Sequence, residues 1–364
     1  MIDFTQTLDE LIRGTQQGLH RGGQICVVRD DDTLLDASFG HDWNGEPLSS
    51  DRIMLWLSAS KPVTAVAALQ LWEKGLLSLN DPVARFIPEF AVNGKESITI
   101  WNILTHTGGF RFFDDAWLAL KWDQIIQKIS EGRPEPRWNP GHKAGYHPAS
   151  SWFILGEIIQ RVSGHPLGEY LKENVFEPAE MQNTWMGIPE TDQPEVVERI
   201  ARLCNTASEE PELSHYETGG NLSAVLPGSG LRGPASDLAA FYRHLIWSDV
   251  LLSPQTFLAM SARHRTAMHD KTFHSVIDWG LGFMLNSYHY KGSYPYSFGS
   301  LASPRAFGHG GAQCAMAFAD PQFGLVAAWV VNGSPGEPAH QERQERINSA
   351  IYRDLGLGWE HNVE

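Results

Sequence analysis

Ser58-Ala59-Ser60-Lys61 is the stretch in which residue type and spacing first point to chemistry. Residues three apart share one face of a helix, so a helix opening here sets the Ser58 hydroxyl beside the Lys61 amine. A desolvated lysine sheds its proton more easily and can then take the serine proton, turning the hydroxyl into a nucleophile. Free N–H groups at the start of such a helix favour the negative charge that builds up in acyl transfer. Of nine lysines, only Lys61 has a serine three positions before it. The same spacing also suits an N-cap serine beside a surface lysine, so the tetrapeptide alone leaves both readings open. Other chemistries lack their signatures. There is no G-x-S-x-G, no H-E-x-x-H, no P-loop, no dinucleotide-binding glycine pattern and no convincing histidine triad for a metal. Neither a metal nor an organic cofactor is expected.

The elements that must position these groups follow from periodicity. Phe4, Leu8, Leu11 and Ile12 fall at helical spacing. GGQICVVRDDDTLLDASFG reads as a hairpin turning at Asp30, Asp31 and Asp32. KPVTAVAALQLWEKGLL predicts a helix with a broad apolar face (Val63, Val66, Ala67, Leu69, Gln70, Leu71) that stops at Gly75. Further helices are predicted at 99–105, 115–130, 149–163, 166–175, 234–247 and 340–355, and strands at 278–286, 313–319 and 323–331. No repeat or low-complexity tract interrupts them. Strands at both ends around a helical middle predict an α/β (α+β) architecture. Residues 1–80 and 225–364 would share one antiparallel sheet flanked by helices, with 81–224 as a helical insert and the cleft between them.

Composition narrows the partners. The chain has 364 residues and a formal net charge of −15, which disfavours nucleic acid and anionic membranes. Cys26, Cys204 and Cys314 lie far apart and form no C-x-x-C, which argues against a disulfide framework and a zinc ribbon. Cys314 reads as a small buried thiol. The N-terminus has neither a basic n-region nor an apolar h-region, and the apolar run Leu325 to Val331 is too short to span a bilayer. A cytoplasmic protein without a membrane partner is expected; its oligomeric state is left open. Trp56, Trp138, Trp152 and Phe112 suit either an apolar substrate pocket or the core.

The run from Ser58 through KPVTAVAALQLWEKGLLSLNDPVARFIPEF and ITIWNILTHTGGF resembles the serine β-lactamase-related, penicillin-binding-protein-like hydrolases, in their class C and family VIII carboxylesterase branch. The resemblance continues through Pro140-Gly141, Tyr146, Gly230 to Ala239, His309-Gly310-Gly311, Asp320-Pro321 and Val331-Asn332-Gly333. It covers residues 20 to 350 and implies a β-lactamase/transpeptidase-like fold.

It further implies that Tyr146 faces the serine across the cleft. A phenol beside an ammonium has its phenolate favoured, so lysine or tyrosine could be the base. By the same analogy the N–H groups of Ser58 and Ala312 form an oxyanion hole, and His309 lends a hydrogen bond or partial positive charge at the far wall. Gly310 and Gly311 let substrate approach the strand. Trp152, in a segment bordering the predicted cleft, is a candidate substrate-binding residue on position alone, with the core as its alternative. Two positions depart from the family pattern. Pro148 stands where an asparagine would hold a substrate amide, with Ser150 and Ser151 as alternative polar groups. His309 stands where a lysine would anchor a carboxylate. Both favour a small, neutral ester or acyl substrate. The expected activity is ester hydrolysis through an acyl-enzyme. The alternatives are acyl transfer on the same scaffold, a β-lactamase or D-amino peptidase type of amide hydrolysis, and a catalytically dead binding protein.

Overall fold

A computed structural model describes residues 2–112, 120–208, 210–218, 222–290 and 295–360. Six strands form one antiparallel sheet. They are β1 (Gly22–Arg29), β2 (Asp32–Gly40), β3 (Met284–Leu285), β4 (Phe307–Gly311), β5 (Ala315–Asp320) and β6 (Leu325–Val331). Their spatial order is β3-β4-β5-β6-β1-β2, so the first strands of the chain pair directly with the last. Asp30 and Asp31 both have positive φ (48° and 72°), the two-residue turn whose twist suits a tight hairpin.

All seven residues of β6 are buried because both faces of the sheet are covered. Leu325, Ala327, Trp329 and Val331 join a core with Phe4, Leu11, Ile347 and Ile351. These come from α1 (Thr5–Gln16) and the last helix, α5 (Glu337–Asp354). Val326, Ala328 and Val330 join the opposite core with Leu238, Phe241 and Tyr242 of α4 (Ala235–Trp247). The same alternation runs through β1 and β5. A one-residue slip would exchange the two faces, so the pattern also sets the register, with Cys26 opposite Ala328 and Ala328 opposite Ala317. Trp329 Nε1 donates to Asn348 at 2.8 Å and locks α5 onto its face.

The predicted elements differ from the observed ones in several places. Residues Lys61 to Leu71 of α2 (Lys61–Glu73) are buried all round rather than on one face, because the helix is enclosed on every side, with α3 (Ser150–Ser163) among its neighbours. Gly75, at φ +70°, ends that helical turn as expected. The helix predicted at 115–130 is seen at Trp122–Glu131, its first residues lying outside those described. Of the strand predicted at 278–286 only Met284–Leu285 forms a strand, with Trp279 making isolated bridges, because the chain bends at 281–283, where Gly282 has φ +85°. The strand predicted at 313–319 starts at Ala315, because 312–314 form the turn from a separate strand, β4. Ile12 is exposed although it falls at helical spacing. The middle of the chain is also less purely helical than its periodicity suggests. Trp185–Met186 and Ile200–Ala201 join Ile53–Leu55 and Leu231–Gly233 in a small four-stranded sheet. No described helix is long and apolar enough to cross a membrane.

Candidate active site

The small sheet delivers Ser58. Strand Ile53–Leu55 runs into a single 3-10 turn, Leu57–Ser60, and α2 begins directly at Lys61. Trp56 fastens this turn twice. Its backbone N–H donates to Leu231 O at 3.0 Å and its indole N–H to Gly233 O at 2.8 Å. Ser60 Oγ accepts from Leu231 N at 3.1 Å. Leu57 is held at φ +47°, a left-handed conformation that costs a branched residue about 1–2 kcal/mol. Such outliers persist where surrounding structure enforces them and point to function. The turn leaves Ser58 half-buried between buried neighbours.

Lys61 Nζ donates to Ser58 Oγ at 2.9 Å and to Gly228 O at 2.8 Å. It is fully buried and has no ion-pair partner among the described residues. Burial therefore pushes its pKa well below the usual lysine range, which favours the free amine. Tyr146 shares a hydrogen bond with the Ser58 hydroxyl. Its ring centroid lies 5.0 Å from Lys61 Nζ, 4.7 Å from Phe273 and 4.8 Å from His106. On residue type alone a neighbouring ammonium would favour the phenolate. Here desolvation outweighs any such help and raises the Tyr146 pKa, so the group stays a phenol.

A cavity of about 160 Å³ opens over Ser58. Tyr146, Pro148, Ala149, Tyr216, Ser229, Phe273, Tyr296, Gly310 and Ala312 line it with Leu57 and Ser58. None of these is Asp, Glu, Lys, Arg or His. Through Leu57, Tyr216 and Ala312 it adjoins an outer cleft of about 710 Å³ that holds Asn205, Glu212, His215, Gln313 and Ser334.

Several expected site residues take other positions. His309 lies behind Tyr146 (5.9 Å between centroids) and beside Trp279, not at the cavity wall. Its Nδ1 is 2.7 Å from Gly310 O, and burial lowers its pKa to about 3. It is neutral and supplies no positive charge. Trp152 is fully buried on α3, 5.7 Å behind Lys61 Nζ, and does not line the cavity, because its helix packs that face into the core. Trp56 is buried in the turn described above, and Trp138 gives its indole N–H to Thr107 O at 2.9 Å. Phe112 packs against the core, outside the cavity lining. Ser150 Oγ is spent on Phe110 O, while Ser151 is buried. Cys314 is a free, buried thiol.

Gly310 borders the cavity, but Gly311 does not. A Cβ on Gly311 would sit 2.0 Å from the backbone oxygen of Trp56. That glycine lets β4 press against the segment carrying Ser58. Gly311→Ala is therefore expected to lower Tm and to cut kcat more than tenfold by prising Ala312 away from Ser58. Thermal melts and steady-state kinetics check both effects, and a variant with wild-type kcat would show that the close approach is dispensable.

Periodicity and motif spacing overlooked the cavity walls Tyr216, Phe273 and Tyr296, and the groups beneath Tyr146. His106, at φ +56°, accepts the His147 N–H at Nδ1 (3.0 Å). His147 Nε2 accepts from Gly109 N and Phe110 N at 3.1 and 3.2 Å. Burial lowers the pKa of both imidazoles, His147 to about 3, so they serve as neutral acceptors. The only signal for His106 was its place in the LTHTGG stretch.

Comparison with known proteins identifies the family and the fold. The family described as Beta-lactamase matches residues 8–351. Penicillin-binding protein 4* of Bacillus subtilis is 29% identical over 44% of this chain and 37% of its own length. Esterase/beta-lactamase LipL of Mycobacterium tuberculosis is 25% identical over 57% of this chain and 50% of its own. The chain thus spans half or less of these two curated relatives. A family VIII carboxylesterase crystal structure superposes with a TM-score of 0.80 at 24% identity, covering 97% of each chain, and shares the fold.

Proposed function

The chain belongs to the beta-lactamase family of serine hydrolases, and from that premise we propose that it cleaves small, neutral carboxylic esters through an acyl-enzyme. Ser58 Oγ attacks the ester carbonyl and passes its proton to neutral Lys61. The N–H groups of Ser58 and Ala312 hold the developing oxyanion. Tyr146 gives its proton to the departing alkoxide and recovers one from Lys61, leaving Ser58 acylated. Water then reverses the sequence and releases the acid. Gly310 lies along the substrate. His309 packs behind Tyr146 as a neutral support.

The uncharged lining of the Ser58 cavity among the described residues carries this reading. A β-lactam or a peptide terminus brings a carboxylate, and among the described residues no cation lines the cavity to offset its desolvation. Pro148 on the wall also lacks a side-chain donor or acceptor for a substrate amide. Purified protein is expected to turn over short p-nitrophenyl esters at least tenfold faster, by kcat/KM, than nitrocefin or a D-alanine amide. Faster turnover of either amide would overturn the ester assignment.

The outer cleft favours a second reading, acyl transfer. It meets the Ser58 cavity at Ala312 and has room for an acceptor alcohol. Product analysis with added alcohols separates the two, since transfer gives a new ester where hydrolysis gives only acid.

A further inference from the structure

Tyr146 has no helix or long strand of its own to hold it. It lies in an irregular stretch just before α3, yet its hydroxyl must meet Ser58. What holds it is a hairpin more than a hundred residues later, built on the two-residue strands His269–Asp270 and Ser275–Val276. The Asp270 carboxylate accepts the Tyr146 backbone N–H at 3.0 Å through Oδ1. The same oxygen accepts Thr272 N at 2.9 Å and Phe273 N at 3.1 Å. Phe273 is the cavity-wall residue packed against the Tyr146 ring at a tilt of 33°. Thr272 Oγ1 donates to Tyr146 O at 2.9 Å, and Lys271 N donates to Ala144 O at 3.0 Å. Both backbone polar groups of Tyr146 are therefore gripped from this hairpin.

The other carboxylate oxygen meets a cation. Arg265 Nη2 donates to Asp270 Oδ2 at 3.0 Å, and both side chains are fully buried. The guanidinium also donates to Ile277 O and, at 3.2 Å, to Thr105 O, next to His106. It lies 5.2 Å over the Trp279 ring, whose centroid is 4.4 Å from that of His106. Four donors converge on one carboxylate, with Arg265 as its buried ion-pair partner.

We propose that the buried Asp270–Arg265 pair is the positioning device for Tyr146. It fixes the tyrosine backbone, the Phe273 wall and the His106 segment as one body and so sets the phenol against Ser58. Asp270 and Arg265 touch no reacting atom and are positioning residues. The proposal rests on the reading that Tyr146 moves the leaving-group proton. A buried pair broken on one side loses its balance, and a hydroxyl displaced by about an ångström costs on the order of a hundredfold in rate.

A double-mutant cycle on the full chain tests it, with a p-nitrophenyl ester as substrate. Asp270→Asn is expected to lower kcat at least tenfold and to change KM by less than threefold. In the Tyr146→Phe background the same substitution is expected to lower kcat less than twofold, because the group it positions is gone. Equal losses in both backgrounds would make Asp270 a general structural support and overturn the proposal, as would an unchanged kcat in the single variant. If Tyr146→Phe alone keeps wild-type kcat, the proton-transfer reading has failed instead, and the positioning role with it. Should Asp270→Asn not fold, Thr272→Val removes one grip on Tyr146 without unpairing the buried charges. It must then show a kcat loss in the wild type that shrinks in the Tyr146→Phe background. A loss of equal size in both, or none in the wild type, overturns the proposal.

Discussion

A Ser58→Ala variant is expected to lose ester turnover by roughly four orders of magnitude and to lose all labelling by a fluorophosphonate probe. The size follows from what the substitution removes. Ser58 is the half-buried residue of a tightly fastened turn, with its Oγ shared between Lys61 and Tyr146. Without it there is no covalent intermediate, and the remaining donors can only polarise a bound carbonyl. The fold should survive. The turn is held through Trp56 and Ser60, and Lys61 keeps its bond to Gly228 O. Each of the two hydrogen bonds lost costs about 1 kcal/mol. Probe labelling with mass mapping reads the result, and an adduct that persists in Ser58→Ala would place the nucleophile elsewhere.

Lys61→Met is expected to cut kcat by about 10²- to 10⁴-fold and, in the same protein, to raise stability. Methionine fills nearly the same volume and needs no desolvation. Lysine carries its proton in the unfolded chain, whereas burial holds its folded pKa well below the usual value. The unfolded state therefore binds more protons, and wild-type stability rises with pH up to the unfolded pKa of about 10.5. The wild-type deficit is greatest on the acid side and vanishes above that pKa. A gain of about 1–2 kcal/mol near neutral pH is expected for the variant, shrinking as pH rises. Urea titrations across pH measure it. Wild-type kcat/KM should fall as pH drops through the lowered Lys61 pKa, since only the free amine accepts the serine proton. A Lys61→Met protein that is both active and less stable would contradict both halves.

The local sequence was sufficient wherever the physics is local. Ser58 and Lys61 meet because three residues span one helical turn, whatever surrounds them. The alternation in β1, β5 and β6 determined which side chains face each core, and two aspartates could make the tight turn between β1 and β2. The glycines at 310 and 311 marked a close approach, although at 311 the partner proves to be the Trp56 carbonyl rather than a ligand. Tyr146 and His309 were legible only through a resemblance spread along the chain. Their protonation was not legible at all. Desolvation depends on every atom packed around a group, and it lowers the Lys61 pKa, keeps Tyr146 a phenol and makes His309 a neutral imidazole. The cavity walls Tyr216, Phe273 and Tyr296 come from separate segments with no shared periodicity, while Trp152, a plausible wall by position, is turned into the core. Asp270 and Arg265 show the limit most clearly. Nothing in their own stretch sets them apart, and they matter only because the folded chain carries their hairpin back onto Tyr146.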